Sequence, residues 1–268
     1  MKIATWNINS LNIRLPHVLQ WLEKQPIDIL CLQETKLVNA KFPVKTLRDA
    51  GWYPIFNGQK TYNGVAILSK IPAIDIQKDN PLFPDDQKRI IAATYYNIRV
   101  ICIYIPNGQS VQSEKYTYKM NWLYALHQWL KEELKKYPHL ILLGDFNIVV
   151  ENRDIYDPAA YKGEVPMTDP ERNAFYTFQN LGLVDAFRLF EQPEKTYSWW
   201  DYRQLGFPLN KGMRIDHIML SPSLAKRCLS CAIDKTPRKW ERPSDHAPMM
   251  AEIAIDSAIN NLTRSHYD

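Results

Sequence analysis

No apolar run in this chain approaches the ~18 residues that a membrane-spanning helix needs. Its opening residues, MKIATWNINS, lack the apolar core of a secretory signal peptide. Cysteine is scarce, with four present: Cys31, Cys102, Cys228 and Cys231. Cys31 and Cys102 sit inside apolar, strand-like runs, where buried thiols are common. Cys228 and Cys231 form one CxxC without a second pair or nearby histidines, which does not make a zinc site. There is no disulfide framework, and a reducing compartment fits. Linkers, repeats and low-complexity stretches are also absent. So is a strong charge of one sign: 33 basic and 29 acidic residues leave +4. That balance permits a polyanionic partner without demanding one. These absences exclude a membrane span and a disulfide-stapled domain. They lead to the expectation of a soluble, cytoplasmic monomer without a membrane partner.

Apolar and aromatic residues are plentiful. The 268 residues are 46% hydrophobic and 12% aromatic, enough to bury the core of one large α/β domain. Residues 2–8 alternate as a strand, and Leu15, Val18, Leu19 and Leu22 recur at helical spacing. Residues 28–34, 52–58 and 64–69 read as further strands, with Gly64 at a turn. Residues 89–95 and 98–105 read as a hairpin turning at Tyr96-Asn97. A helix is predicted over 113–136, ended by Pro138, and KEELKK at its end reads as a solvated face. A strand over 139–145 follows, then a polar loop over 151–170. A helix is predicted over 170–181, with Asp169 as N-cap and Pro170 at its first position. Strands over 214–220 and 246–255 complete the pattern. Strands outnumber helices and many are adjacent hairpins, which predicts two mixed β-sheets packed face to face with helices outside. One domain is expected over 1–256, with a frayed polar tail over 257–268.

Polar residues recur where the apolar strands end. Asn7 and Asn9 follow KIATW, Glu34 follows DILCLQ, and Tyr104 and Asn107 flank IP in CIYIPNGQ. Asp145 and Asn147 close LILLGDFN, Asp216 lies in GMRIDHIML, and Asp245 and His246 lie in RPSDHAP. Strand ends are where stacked sheets gather side chains from distant positions. The residue types suit phosphodiester hydrolysis. Glu34, Asp145 and Asp245 are hard oxygen ligands for Mg²⁺ or Mn²⁺. His246 can handle a proton while a carboxylate fixes its tautomer. Asn7, Tyr104, Asn107 and Asn147 can donate to phosphate oxygens. Asp216, on a strand otherwise rich in Ile, Leu and Met, needs a partner, and His246 is a good one. Singly, each has a plainer reading: Asn7 a turn residue, Glu34 a solvated strand end, Asp145 to Asn147 an Asx turn, Tyr104 a core residue. His217, by strand alternation, should face away from Asp216.

Nine motifs in order, TWNINSLNIR, LQETK, NGVAILS, YIPNGQ, LLGDFNI, GLVDAFR, SWWDYR, MRIDHIMLS and PSDHAP, span residues 3 to about 255. With them the chain resembles the exonuclease III family of AP endonucleases, in the endonuclease/exonuclease/phosphatase superfamily that includes deoxyribonuclease I. The resemblance implies a four-layer α/β sandwich and a metal-dependent DNA repair nuclease. It implies 3′→5′ exonuclease activity on double-stranded DNA, AP endonuclease activity at abasic sites, and 3′-phosphodiesterase or phosphatase activity at 3′ ends. It implies Glu34 as principal metal ligand, with Asn7, Asp145, Asn147 and Asp245 around the metal. Asp145 and the Asp216–His246 pair would be catalytic, with Tyr104, Asn107 and His246 at the scissile phosphate. Trp199, Ile215 and Met213 match a small pocket for a baseless deoxyribose, and Arg203 a contact to the DNA backbone. Met213 stands where some eukaryotic relatives carry tryptophan. Trp200 could pack on a sugar or base, and Arg14 matches a position that sometimes meets DNA. The alternatives are a superfamily enzyme acting on small phosphorylated molecules, and a DNA-binding module without catalysis. SWWDYR speaks against the first, and a full catalytic set against the second.

Overall fold

The computed structural model describes residues 1–255, so the expected tail over 257–268 lies outside the described residues. The strands in chain order are β1 (Lys2–Asn7), β2 (Ile29–Gln33), β3 (Tyr53–Asn57), β4 (Val65–Ser69), β5 (Ile74–Lys78), β6 (Ile90–Tyr95) and β7 (Ile98–Tyr104). They continue as β8 (Leu140–Asp145), β9 (Val184–Asp185), β10 (Trp199–Trp200), β11 (Gly212–Met213), β12 (Asp216–Leu220), β13 (Cys228–Ile233) and β14 (Met249–Ile253). The helices are α1 (Leu11–Lys24), α2 (Val44–Asp49), α3 (Glu114–Lys136), α4 (Asp169–Asn180) and α5 (Pro222–Ala225). Among the described residues, no helix is long and apolar enough to cross a membrane.

One six-stranded sheet runs β13-β14-β1-β2-β4-β3, the other β5-β6-β7-β8-β12-β9, and β10-β11 form a small separate hairpin. Alternation along each strand builds the layers. Ile29 and Cys31 of β2 meet Val100 and Cys102 of β7 and Ile141 and Leu143 of β8 between the sheets. Leu30 and Leu32 of β2 point the other way, under Val18 and Trp21 of α1. Leu140 and Leu142 of β8 face Leu123, Leu126 and Leu130 of α3 and Phe178 of α4. The result is the expected four-layer sandwich, helices outside two mixed sheets.

The hairpin β6–β7 turns at Tyr96 and Asn97, with φ of 50° and 62°, the left-handed pair that a two-residue turn demands. The N-cap of α4 is Thr168 rather than Asp169. Its hydroxyl accepts from the Glu171 N–H while the Glu171 carboxylate accepts from the Thr168 N–H, a capping box that Asp169 cannot make. The expected strand over 214–220 begins at Asp216, and Asp216–Leu220 pair with β8; the separate pair Gly212–Met213, just before the expected start, pairs with β10. The edge strands β5 and β13 had no clear signal, because their side chains are largely exposed.

Candidate active site

Topology brings the polar strand ends to one end of the sandwich. Parallel β1 and β2 put Asn7 opposite Gln33, the residue before Glu34. Parallel β7 and β8 put Tyr104 opposite Asp145. Antiparallel β12 begins where β8 ends, so Asp216 pairs with Asp145. Antiparallel β14 pairs Met249 with Thr5, which returns the preceding Asp245 and His246 to the end of β1. A further bridge joins Trp199 to His246.

Local backbone departs from regular strand where the site begins. Glu34, Lys36 and Asn147 hold φ of 50°, 54° and 49°, unusual for residues with side chains. The neighbouring loops hold the Glu34 turn: Ser10 N–H donates to Glu34 O at 2.8 Å and Thr35 N–H to Gly64 O at 3.1 Å. Gly64, at φ 88°, has no room for more, since a Cβ would lie 2.2 Å from Thr35 Oγ1.

Asn7 stands at the centre. Its Nδ2 donates to Glu34 Oε1 at 2.9 Å and Asp145 Oδ2 at 2.8 Å. Asp145 Oδ1 accepts from the Asn147 N–H at 3.0 Å, and Asn107 Nδ2 reaches Asn147 Oδ1 at 3.3 Å. His246 Nδ1 lies 2.8 Å from Asp216 Oδ2, and its Nε2 lies 3.7 Å from Asp145 Oδ2. Asp245 accepts from Asn9 Nδ2 at 3.0 Å and from the Trp199 indole N–H at 2.9 Å. Arg89 stacks 4.7 Å over the Tyr104 ring.

The electrostatics follow from crowded carboxylates in a buried place. Burial raises Asp145 above the ordinary carboxylate range; nearby His246 opposes this and Asp216 adds to it. Burial opposes charge on His246, but Asp216 and Asp145 outweigh it and raise its pKa. Burial would raise Asp245, yet His246 and the Trp199 and Asn9 hydrogen bonds hold it low. Burial, then Glu34 and Asp145, push the Tyr104 hydroxyl up, so it stays a donor.

These residues fit a hard divalent cation. The donors are carboxylates and amides, the types such ions select. Asp216 Oδ1 is buried and has no hydrogen-bond partner. Asp145, Asp216 and His246 offer ligand atoms within 4.8 Å of one another. That grouping shares only Asp145 with the set expected from sequence.

Glu34, Tyr104, Asn107, Asp145, Asn147, Trp199, Arg203, Met213, Ile215, Asp245 and His246 line one cleft of about 380 Å³. Asn7 and Asp216 lie buried behind it. Met213 and Ile215 form one apolar patch with Trp199 packed against it. Trp200 is turned away: it is fully buried and its indole N–H goes to Asn210. Arg14 is no surface contact either. It is buried, and its guanidinium donates to Ile8 O, Asn9 O and Arg242 O, clamping the loop that carries Asp245. Arg203 sits at the cleft rim, paired with Asp201 at 2.7 Å. His217 faces away from the cleft, 3.0 Å from Arg214 Nη1 and against Phe146 and Phe175.

Sequence reasoning missed three participants. Lys36 pairs with Glu34 at 3.0 Å and donates to Asn9 Oδ1 at 2.6 Å; its place in LQETK was the available signal. Ser198 Oγ accepts from the Ile215 and Asp216 N–H groups, both at 3.1 Å. Tyr161, with Val165 and Pro166, closes the far wall from a loop whose composition carries no periodic signal.

Comparison with known proteins gives the family of the chain. The exodeoxyribonuclease III of Haemophilus influenzae is 36% identical, over 94% of this chain and 100% of its own. The 3′ phosphatase NExo from Neisseria, solved bound to a product DNA hairpin, superposes with a TM-score of 0.93 at 43% identity, over 95% of this chain and all of its own. An AP endonuclease from Archaeoglobus fulgidus gives 0.92 at 38% identity over the same shares. The model of the endonuclease/exonuclease/phosphatase family matches residues 4–246, from the first strand to the histidine of the cleft, and the chain belongs to that family.

Proposed function

We propose that this cleft hydrolyses phosphodiester bonds in double-stranded DNA, as a 3′→5′ exonuclease that also incises at abasic sites and clears blocked 3′ ends. The protein would work as a monomer in the cytoplasm, with Mg²⁺ or Mn²⁺. The observation that carries this reading is the arrangement around Asp145. It is joined to Glu34 through Asn7, flanked by Asn147, and faced by a histidine that Asp216 pins, beside the apolar patch of Trp199, Met213 and Ile215.

A divalent cation held by Glu34, Asp145 and Asp245 would neutralise phosphate charge and act as a Lewis acid. Asn7 orders Glu34 and Asp145 through Nδ2 and Asn147 holds Asp145 through its main-chain N–H, while their side-chain oxygens accept from the Asn9 N–H and from Asn107 Nδ2. With Nδ1 held by Asp216, His246 presents Nε2 to the phosphoryl oxygens. Asn107 and Tyr104 donate to the same oxygens from the other wall. Asp145 handles the proton of the water or of the leaving oxygen. Trp199, Met213 and Ile215 admit a deoxyribose without its base, and Arg203 meets the flanking backbone once released from Asp201.

The test uses two 5′-labelled duplexes, one with a central abasic-site analogue and one intact, in Mg²⁺ with EDTA controls. A single metal-dependent cut at the analogue and a ladder from the intact 3′ end are expected. No cleavage of either duplex in Mg²⁺ or Mn²⁺, with turnover of inositol phosphates, would overturn the proposal.

A further inference from the structure

Beneath the cleft, α3 and α4 bury a lysine and a glutamate, Lys119 and Glu171, both with 0% exposure. An ammonium group has three donors, and Lys119 Nζ has three acceptors. They are the Glu171 carboxylate, the main-chain carbonyl of Asn147 at 2.7 Å and that of Asn107 at 3.2 Å. The lysine stem runs under Gly108, where a Cβ would lie 3.0 Å from Lys119 Cδ. Glu171 Oε2 in turn accepts from the Thr168 N–H at 2.9 Å and its hydroxyl at 2.8 Å. Thr168 ends the loop whose Val165 and Pro166 line the cleft.

A buried ion pair is weak evidence for stability, because an apolar pair of similar size often holds a fold as well. An apolar pair could not bond two main-chain carbonyls of the cleft. The Asn147 side chain already donates to Ile105 O at 2.9 Å, but the side-chain contact from Asn107 itself is long, at 3.3 Å. The ammonium group adds the main-chain tie between Asn107 and Asn147 themselves.

We infer that Lys119 is a positioning residue for the reaction: it fixes the Asn107 and Asn147 turns against each other, and through Glu171 ties the loop wall to the same point. This rests on the reading of Asn107 as a group at the scissile phosphate and of Asn147 as the residue that holds Asp145. Burial lowers the Lys119 pKa, while Glu171 and Asp145 oppose that fall and favour the charged donor.

The experiment is steady-state incision of the abasic duplex, with thermal unfolding, by four variants of the full chain. They are Lys119→Met/Glu171→Gln, Glu171→Gln, Asn147→Ala, and the triple variant. Replacing both charges avoids leaving one buried alone. A displacement of about 1 Å costs up to ~10²-fold, so the pair variant should lose roughly 10- to 100-fold in kcat with KM nearly unchanged. Glu171→Gln keeps both carbonyl bonds and should keep kcat within about threefold, whatever it does to Tm. In the Asn147→Ala background the pair substitution should cost less than in the wild type, because part of its effect runs through the placement of the Asn147 side chain. A pair variant with lowered Tm and normal kcat would overturn the inference, as would full additivity with Asn147→Ala, or an equal kcat loss in Glu171→Gln. Asn147→Ala at the wild-type rate would instead retract the reading of the asparagine on which the inference rests.

Discussion

Replacing Trp199 with phenylalanine separates two jobs that one side chain performs. The ring lines the apolar patch with Met213 and Ile215, while the indole N–H donates to Asp245 Oδ2 at 2.9 Å. Phenylalanine keeps an aromatic wall and removes the donor. Asp245 is left with Asn9 as its side-chain partner, at 3.0 Å. A hydrogen bond to a charged group contributes roughly 1.5–3 kcal/mol. Asp245 borders an open cleft, so water offsets part of the loss and the lower end applies. At about 1.4 kcal/mol per tenfold, the Mg²⁺ concentration for half-maximal incision should rise roughly tenfold. At saturating metal, kcat should return to near the wild-type value, and preference for the abasic duplex should hold. The assay is single-turnover incision of abasic and intact duplexes across a Mg²⁺ series. A half-saturating Mg²⁺ within about twofold of wild type would refute the coupling between pocket and metal site. Loss of abasic preference with unchanged metal dependence would assign Trp199 to the pocket alone.

Asp145→Asn should fold as the parent, with a Tm close to wild type, yet lose about 10²- to 10⁴-fold in single-turnover incision; retained incision would refute its role. Gly144→Ala should lower Tm by roughly 10 °C or more in a thermal scan. Its new Cβ would stand 1.9 Å from the Ile103 carbonyl oxygen, and an unchanged Tm would mean that β7 and β8 are less tightly joined. Fully buried Arg214 pairs with Asp154 at 2.7 Å and Asp185 at 2.8 Å. Burial would raise both carboxylates, but Arg214 outweighs it and both are lowered. Their stabilisation is therefore present above the unfolded carboxylate pKa of ~3.9 and is lost as pH falls through and below it. Urea midpoints should fall steeply below that pH in the wild type. In Arg214→Met the largest lowering influence on both carboxylates is gone while Arg188 still pairs with Asp154, so this acid loss should shrink; an identical acid limb in both proteins would refute the pairing.

The fold was legible where burial is two-sided or periodic. β2 and β8 read as strands because apolar residues fill both faces, β1 by its alternation, β7 by its hairpin with β6, and α3 read as a helix because Leu123, Leu126 and Leu130 recur on one side. The edge strands β5 and β13 were not legible, since an exposed strand carries no burial pattern. Thr168 was missed as N-cap because Asp169-Pro170 offers a competing local signal. The capping box at Glu171 decides it, and Glu171 answers to Lys119 from another helix. The site residues were visible as polar types at strand ends, and the family motifs assigned them roles. What no local pattern carried was their wiring. Arg14 resembled a surface arginine at a helix start, but its acceptors lie on the turn after β1 and on residue 242. Trp199 and Trp200 are equivalent in the sequence, and only the pairing with β11 decides which one faces the cleft.

The register of the central strands explains why a glycine precedes the aspartate. In β8, Ile141 and Leu143 face one layer and Leu140 and Leu142 the other, and all are apolar. A slip by one residue would exchange two equally apolar faces, so hydrophobic pattern alone specifies register weakly here. Gly144 supplies what the pattern lacks. It lies against the Ile103 carbonyl so closely that any Cβ would collide, which singles out one alignment of β8 on β7. That alignment sets Tyr104 beside Asp145, and through β12 it sets Asp216 beside Asp145 as well. Three residues of the site thus owe their meeting to the absence of one side chain.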